Sequence, residues 1–469
     1  MTNAAPAASP TTSPSHSFAL SAAAPAARVL ARGWLHLALA ALVGSGLVVL
    51  LVVLARAPGI HEILPFIASF RTALVIHVDL TVLVWFLACA GLLTALTLKE
   101  GTGISLGRIA LGLAWAGGAI LAFSPFLAPG VPHMNNYVPV LANAPFLVGL
   151  LIFAAGTTLM ALAGLFFAPL PFNAAPGEIV LRLGIKSALL ILLVATAMVF
   201  WTWSLIPPSV EIGEYYFELL FWGGGHVLQF THTQLVMVAW LWLASRVAGG
   251  VSLSPRVAAL LLLLGAAPAF AGPVIHEMLP VNSIDNRHAF TALMLWGAAI
   301  SPLIVGLATL LAALRGGRES VIQPLRLSLL ASLLLFGVGG VIGYLIQGIN
   351  VTIPAHYHGS IVSVTLAYMG IIYLLLPQLG ASPVAGKWPI WQSLLYGGGT
   401  LIHILGLAAA GGHDVQRKTA GAAQGLSGAS ETAMRIGQSG ALLAVLAGVI
   451  FLVLVYRALG RKNALPPPA

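Results

Sequence analysis

The stretch that decides the fold is AHYHGS at residues 355–360, inside the apolar run 353–377, IPAHYHGSIVSVTLAYMGIIYLLLP. Residues two apart on a helix point about 200° apart, so His356 and His358 face opposite sides of one helix. Imidazole is the commonest metal ligand and a usual axial ligand of haem iron. Ionisable residues inside a membrane helix are costly and mark functional sites by default. The stretch predicts a membrane helix with a metal centre on each flank, or two rings that only hydrogen-bond neighbouring helices.

Composition places the chain in a lipid bilayer. Hydrophobic residues make up 59% of it and charged residues 7%, whereas about a quarter of the residues in soluble domains are charged. This excludes a soluble globular protein. The net charge of +9 fits cytoplasmic loops rich in Lys and Arg, so we expect no nucleic-acid partner. The single cysteine, Cys89, excludes a disulfide framework, and no C-x-x-C-H motif attaches a c-type haem.

The chain divides into two tails and one membrane domain. Residues 1–28 are mostly Ala, Pro, Ser and Thr with almost no charge, which predicts a disordered tail. Residues 29–460 form the membrane domain, and 461–469 form a C-terminal tail. Twelve apolar runs are long enough to cross a bilayer, which predicts an all-α bundle. The runs lie near 34–55, 70–98, 104–128, 141–168, 179–206, 213–244, 252–278, 288–314, 323–348, 353–379, 389–411 and 433–457.

The distribution of Lys and Arg predicts the orientation of these spans. With both termini in the cytoplasm, 15 of the 21 Lys and Arg residues lie on the cytoplasmic side. The positive-inside rule favours this arrangement. We therefore expect a multi-pass protein of a bacterial-type cytoplasmic (inner) membrane.

This orientation places five histidines in the outer half of the membrane. They lie on spans two, six, seven and ten, and at 1.5 Å rise per residue they can share one layer. They are His77, His226, His276, His356 and His358. Four separate spans place histidines at the same depth, which argues against a coincidence.

Two short motifs surround the predicted metal ligands. Three glycines, 223–225, precede His226 and would let another helix or a flat macrocycle approach closely. His276 and Glu277 are adjacent, so both can reach one ion only near a frayed helix end. Two histidines with one carboxylate suit non-haem iron, whereas three histidines suit copper equally well.

With these residues, the chain resembles the catalytic subunit of the haem–copper oxidoreductase superfamily over nearly its whole length. That family has one histidine on span two, one on span six, two adjacent histidines on span seven and H-x-H on span ten. Residues 353–377 are similar to span ten of the B-type oxygen reductases, and GPVIHEMLPVNSIDNRHAFT, 272–291, to their span seven and the start of span eight. The resemblance implies the twelve-helix fold of subunit I, two haems, which we expect to be haem b, and a second metal.

The resemblance also implies roles for individual residues. His77 and His358 would be axial ligands of a low-spin haem, and His356 the proximal ligand of a high-spin haem. His226, His276 and Glu277 would bind the second metal. Arg417 and Lys418, in the loop GGHDVQRKTAG, 411–421, fall where the family binds haem propionates.

Two departures from the family pattern change the implied activity. Glu277 replaces the second adjacent histidine, and a carboxylate shifts the metal preference from copper towards iron. Oxygen reductases usually carry a tyrosine one turn after the span-six histidine, but Phe230 stands there, and no tyrosine occurs between residues 217 and 343. Nitric oxide reductases of the superfamily lack this tyrosine and use non-haem iron. The sequence therefore favours nitric oxide (NO) reduction.

Protons and electrons need routes to the site. Glu214 and Glu218 lie outward of His226 on span six and are candidates for a proton relay, or for a solvated pair at the membrane interface. No cupredoxin domain or c-type haem occurs in the chain, so we expect a cytochrome c or cupredoxin-type donor subunit, with quinol as the alternative.

Two other functions remain open at this point. One is a B-type-like terminal oxygen reductase, taking electrons from cytochrome c or quinol and using copper. The other is a non-catalytic bis-histidine membrane cytochrome or a haem transporter, in which His226 and His276 would have no task.

Overall fold

The structure is a computed structural model that describes residues 16–21, 23–58, 69–171 and 173–461. In this part of the chain, twelve helices are long and apolar enough to cross a membrane, which confirms the predicted all-α bundle. We number them α1 to α12: Pro25–Arg56, Phe70–Ala95, Thr102–Leu127, Ala144–Phe167, Pro176–Leu205, Glu214–Ala248, Pro255–Met278, Ile284–Arg315, Ile322–Tyr344, Thr352–Leu375, Lys387–Gly411 and Gly428–Gly460. A hairpin of strands β1 (Val131–His133) and β2 (Val140–Ala142) joins α3 to α4, and a 3-10 turn, Gly421–Gln424, precedes α12.

Local sequence signals explain where several helices begin. Asn143 precedes α4, and its side chain accepts the backbone N–H of Phe146 at 2.8 Å. Ser254 caps α7 in the same way, and Pro255 follows at the first helical position. Short polar side chains satisfy N–H groups that lack a partner within the helix, and proline at the first position loses nothing.

Three helices occupy the interior of the bundle. In its most apolar stretch α6 is 89% buried and α2 and α10 are each 72% buried, whereas no other described span exceeds 44%. α6 contacts α10, and α2 packs against α1. The interior helices are the ones that carry His77, His226 and the H-x-H motif, so these histidines lie within the bundle.

Two of the spans contain irregular turns next to predicted ligands. A π-helical segment, Asp79–Trp85, begins two residues after His77 in α2. A 3-10 turn, Ala267–Phe270, precedes the last two turns of α7, which carry His276. Such turns change the direction in which the flanking side chains point, and π turns concentrate at functional sites.

The predicted boundary of the N-terminal tail needs correction. Phe18 is fully buried, and its backbone N–H donates to Ser245 Oγ at 2.8 Å. His16 pairs with Val251, and α1 begins at Pro25, inside the predicted tail 1–28. Burial of a large aromatic side chain holds this segment on the bundle. Residues 1–15, 22 and 462–469 of the two predicted tails lie outside the described residues.

Candidate functional site

The two histidines of α10 are held by different helices. His356 donates Nδ1–H to the carbonyl of Gly339 in α9 at 2.8 Å, and His358 donates to the carbonyl of Pro354 in its own helix at 2.7 Å. A Cβ atom on Gly343 would lie 2.6 Å from the His356 ring, so only glycine leaves room for that imidazole. The two rings therefore leave α10 on different sides, as the H-x-H spacing predicts.

His77 of α2 lies near His358 of α10. Its Nδ1 bonds to Ser45 Oγ of α1 at 2.8 Å, and its backbone carbonyl accepts Thr81 Oγ1 at 2.6 Å from within the π segment. His77 and His358 are close enough to interact electrostatically. Both side chains are surrounded by protein, yet both keep some accessible surface, so open space lies beside them.

His226 and His276 both pack against the ring of one phenylalanine, Phe290. Their ring centroids lie 5.7 and 5.4 Å from the Phe290 ring of α8, respectively. His226 donates Nδ1–H to the carbonyl of Trp222 at 2.7 Å. Thr202 Oγ1 donates to a backbone carbonyl, so it accepts Nε2–H of His276 at 2.6 Å. The Nδ1 of His276 is buried without a partner.

These hydrogen bonds decide which nitrogen of each ring can bind a metal. A neutral imidazole that donates from one nitrogen keeps a lone pair on the other. His226, His356 and His358 therefore keep Nε2 free, and His276 keeps Nδ1 free. His36 makes the same bond to the carbonyl of Arg32, so the bond orients a ring without marking a ligand by itself.

The structure does not place Glu277 in the site. His276 is buried, but the side chain of Glu277 is exposed. Consecutive helical residues point about 100° apart. Because α7 continues to Met278, His276 and Glu277 both keep helical geometry and their side chains point in different directions. His288, the other possible third ligand, is exposed as well.

The sequence predicted that the glycines 223–225 would admit either another helix or a flat macrocycle. In the structure they admit groups of the protein itself. A Cβ on Gly223 would lie 2.5 Å from the His276 ring, and one on Gly224 would lie 2.6 Å from Val199 of α5. A Cβ on Gly225 would lie 2.3 Å from the ring of Tyr137. The triplet lets a histidine, a helix and an aromatic ring approach α6.

Tyr137 is a residue of the site that the sequence analysis missed. It lies in the connection between β1 and β2, and its ring centroid is 4.6 Å from that of His226. Burial, with the nearby negative charge of Glu218, raises the pKa of Tyr137 above its usual value. The only signal in the sequence is a short polar run, HMNNY at 133–137, in an otherwise apolar chain.

The predicted relay carboxylates are engaged at the same end of the bundle. Glu214 forms an ion pair with Arg71 at 3.1 Å, and both side chains are half-exposed. Glu218 accepts the backbone N–H of Asn136 at 2.9 Å and also the side-chain amide of Asn136. Glu218 is thus tied to the residue next to Tyr137.

The predicted propionate ligands bind the same connection. Arg417 Nη2 donates to Asn136 Oδ1 at 2.5 Å, and Lys418 donates to the carbonyl of Met134. Lys418 has a left-handed backbone, with φ of 60°, which is uncommon for a residue with a side chain. Burial lowers the pKa of Lys418 to about 8, and the positive charge of Arg417 contributes to this.

Comparison with known proteins identifies the architecture. No model of a known protein family matches the chain. It is 27% identical over 487 aligned positions to the uncharacterised protein RP382 of Rickettsia prowazekii, covering 90% of this chain and 94% of that protein. It is 28% identical over 358 positions to an uncharacterised protein of Aquifex aeolicus, covering 76% and 86%.

A chain of a haem–copper terminal oxidase dimer superposes with a TM-score of 0.69, covering 94% of this chain and 85% of that one. The chain has the haem–copper oxidase fold. The sequence identity to that structure is 17%, which establishes the shared fold alone.

Within the haem–copper oxidase fold, the side chains fit haem. His77 of α2 and His358 of α10 lie near each other, and Nε2 of His358 is free. His356 presents a free Nε2 from the other side of α10. Imidazoles of this kind are the usual axial ligands of haem iron.

The fit to a second metal is partial. His226 and His276 each offer one free nitrogen, and that of His276 is an orphaned buried atom. Among the residues that the structure describes, however, no three His, Cys, Asp or Glu side chains are grouped to hold a metal ion. Two imidazoles with a free nitrogen pack against Phe290, and the third ligand predicted from the sequence is not grouped with them.

Proposed function

We propose that this protein is a membrane oxidoreductase that reduces nitric oxide: 2 NO + 2 H⁺ + 2 e⁻ → N2O + H2O. The observation that carries the proposal is the set of histidines on the interior helices whose Nδ1 atoms are engaged and whose Nε2 atoms are free. We further propose a bacterial-type inner membrane as its location, with both termini in the cytoplasm.

In this proposal His77 and His358 would hold one haem between α2 and α10, and this haem would be the low-spin one. His356 would hold the second haem, at which substrate would bind, from the opposite flank of α10. The haems, when bound, supply electron transfer and gas binding. Hydrogen bonds from the rings to Gly339 and Pro354 keep the imidazoles in the ligating tautomer.

His226 and His276 are the proposed ligands of the second metal, for which we expect iron, with copper as the alternative. Phe290 packs against both rings and, being fully buried, keeps water from their shared face. Thr202 fixes the tautomer of His276. Since the third ligand is not in place, we assign no reaction step to this metal.

The choice of NO over O2 rests on the residue one turn after His226. Phe230 occupies that position and is fully buried, so α6 presents no phenol there. A two-electron reduction of two NO molecules needs no additional electron and proton donor at that position. Four-electron cleavage of O2 does need one.

Reduction of O2 remains a second candidate because of one observation. Tyr137 brings a phenol to His226 from another part of the chain, 4.6 Å from ring to ring. The absence of tyrosine between residues 217 and 343 therefore does not leave His226 without a tyrosine neighbour.

We propose that protons enter through Glu218, which is half-buried and lies about 12 Å along α6 from His226. Glu214, half-exposed and paired with Arg71, would be the outer member of this relay. A cytochrome c or cupredoxin-type donor subunit is the proposed source of electrons, with quinol as the alternative.

The test is a joint analysis of metals and activity on purified protein. We expect three irons per two haems, negligible copper, and N2O formation from NO. Two irons and one copper per two haems, with O2 consumption, would favour the oxygen reductase. One haem without a second metal would leave a bis-histidine cytochrome.

A variant pair tests the haem assignment separately. We expect His77→Ala to lose the low-spin haem and keep the second haem. His36→Ala is the matched control, since His36 is a partly buried histidine of α1 whose Nδ1 donates to the carbonyl of Arg32 in the same helix. Retention of both haems in His77→Ala would contradict the assignment.

A further inference from the structure

The tip of the β1–β2 hairpin, residues 134–138, is a rigid structure. The side chain of Asn135 is 3% exposed, and its Oδ1 accepts the backbone N–H groups of Tyr137 at 3.0 Å and Val138 at 2.9 Å. Its Nδ2 donates back to the carbonyl of Val138. This closed set of bonds fixes the backbone from which the Tyr137 side chain projects.

The hairpin tip is fastened to the bundle from two sides. Glu218 of α6 accepts the backbone and side-chain N–H groups of Asn136. Arg417 and Lys418, from the connection between α11 and α12, donate to Asn136 and Met134. Charged groups make the stronger kind of hydrogen bond, so the tip is held firmly over α6.

Tyr137 and Trp222 enclose the His226 ring. The centroids of Tyr137 and Trp222 lie 4.6 Å from that of His226, with interplanar angles of 50° and 58°. The two flanking rings lie 6.0 Å apart and meet edge to face. Gly225 is required for this contact, because a Cβ there would overlap the Tyr137 ring.

We propose that Tyr137 is a positioning residue that holds the imidazole of His226 in its metal-binding orientation. The hydrogen bond from His226 Nδ1 to the carbonyl of Trp222 fixes the imidazole at one atom only. Contact with the Tyr137 face prevents the ring from turning away from Phe290 and His276. The inference rests on the proposed function, because it presumes that His226 binds a metal.

The aromatic ring, and not the hydroxyl, carries this role. The contacts of Tyr137 with Trp222 and His226 are made by its ring, and its hydroxyl makes no hydrogen bond within the described part of the chain. Replacement by phenylalanine should therefore preserve the function, whereas removal of the ring should not.

The experiment compares Tyr137→Phe and Tyr137→Ala in purified, haem-containing full-length protein. The readouts are non-haem metal per haem, the haem absorption spectrum and NO turnover. We expect Tyr137→Phe to match the wild type. Tyr137→Ala should keep both haems but bind the second metal about tenfold more weakly, as for other residues that orient metal ligands. Tyr456→Ala, on the far part of α12, is the control for loss of an aromatic side chain.

A second variant displaces the ring without deleting it. Gly225→Ala places a methyl group 2.3 Å from Tyr137 Cγ, whereas Gly337→Ala, also in a helix, meets no atom within 4 Å. We expect Gly225→Ala to lose the second metal and Gly337→Ala to keep it. If Tyr137→Ala fails to fold, the comparison of Gly225→Ala with Gly337→Ala still tests the positioning role of Tyr137.

The outcomes separate this inference from the function on which it rests. A wild type without a second metal or NO turnover overturns the proposed function. A wild type with both, alongside full metal content in Tyr137→Ala and Gly225→Ala, overturns only the positioning role. Loss of turnover in Tyr137→Phe with metal retained also overturns it, because the hydroxyl would then act in the chemistry.

Discussion

At the residue scale, hydrogen bonds on one nitrogen of each imidazole determine the use of the other. The rings of His226, His356 and His358 donate from Nδ1, but His276 donates from Nε2 to Thr202. The two ligands proposed for the second metal therefore offer different nitrogens. His226 donates to Trp222 of its own helix, whereas His276 donates to Thr202 of α5.

Glu277 is the residue on which sequence and structure disagree most directly. Because its side chain is exposed, we expect Glu277→Gln to retain the second metal and NO turnover within about twofold, as for a surface change. His276→Ala should lose the metal. The measurement is metal content and N2O formation for both variants. Loss of metal in Glu277→Gln would restore the ligand role that the sequence predicted.

Lys418 predicts a pH dependence of stability. Burial lowers the pKa of Lys418 from 10.5 to about 8. Between these values the unfolded chain holds the proton and the folded chain does not, so stability rises with pH over this window. We expect Lys418→Met to remove a rise of about 1 kcal/mol, after allowance for solvent screening.

The check on Lys418 is the thermal unfolding midpoint of the holoenzyme at about pH 7.5 and about pH 10, with exposed Lys99→Met as the control. Identical curves for wild type and Lys418→Met would contradict the prediction. They would indicate that an anion, such as the propionate implied by the resemblance, keeps Lys418 charged.

At the element scale, the π segment of α2 sets the direction of His77. Asp79–Trp85 follows it directly, and Thr81 bonds to the carbonyl of His77. A π turn contains one residue more than an α turn, so it changes the rotation between the two ends of a helix. The His77 end of α2 is thereby turned relative to the end that packs deep in the bundle, Phe86–Ala95.

Deletion of Val82 tests this role. Because a π turn contains one residue more than an α turn, removal of one residue should let the segment close as α-helix with the direction of His77 unchanged relative to Phe86–Ala95. We expect both haems to be retained, measured by absorption spectra and haem extraction. Val82→Ala, which keeps the residue count and the π segment, should also retain both haems. Loss of the low-spin haem in the deletion variant alone would contradict this role of the π segment.

At the scale of the whole molecule, the proposed site lies towards one end of the bundle. The hairpin of β1 and β2, the connection between α11 and α12, and the first turns of α6 all meet there. Interior helices provide four of the five histidines and α7 provides His276, while connections outside the helices provide Tyr137, Arg417 and Lys418. Helices give the ligands rigid positions, and the connections close the site over them.

The orientation of the molecule is a prediction at this scale. Twelve spans put both termini on one side, and the distribution of Lys and Arg predicts that this side is the cytoplasm. A fluorescent protein fused after Arg461 should fluoresce. Alkaline phosphatase fused at Gly130, between α3 and α4, should be active. The reverse pattern would place the proposed site on the cytoplasmic side.

The sequence by itself determined the twelve spans and the opposite directions in which His356 and His358 leave α10. Both are local properties: the length of an apolar run decides whether a helix can cross a bilayer, and a spacing of two decides that His356 and His358 leave opposite sides. The sequence also selected the histidines that the fold carries on its interior helices. Their roles as ligands stay predictions.

Tertiary structure decided what lies beside each predicted ligand. Tyr137 reaches His226 across a long separation in sequence, Gly223–Gly225 accommodate protein groups, and Glu277 faces away from His276. Apolar periodicity encodes burial and rotation within one helix. It does not encode which helices and connections pack together, because that depends on the complementary shapes of side chains distant in the chain.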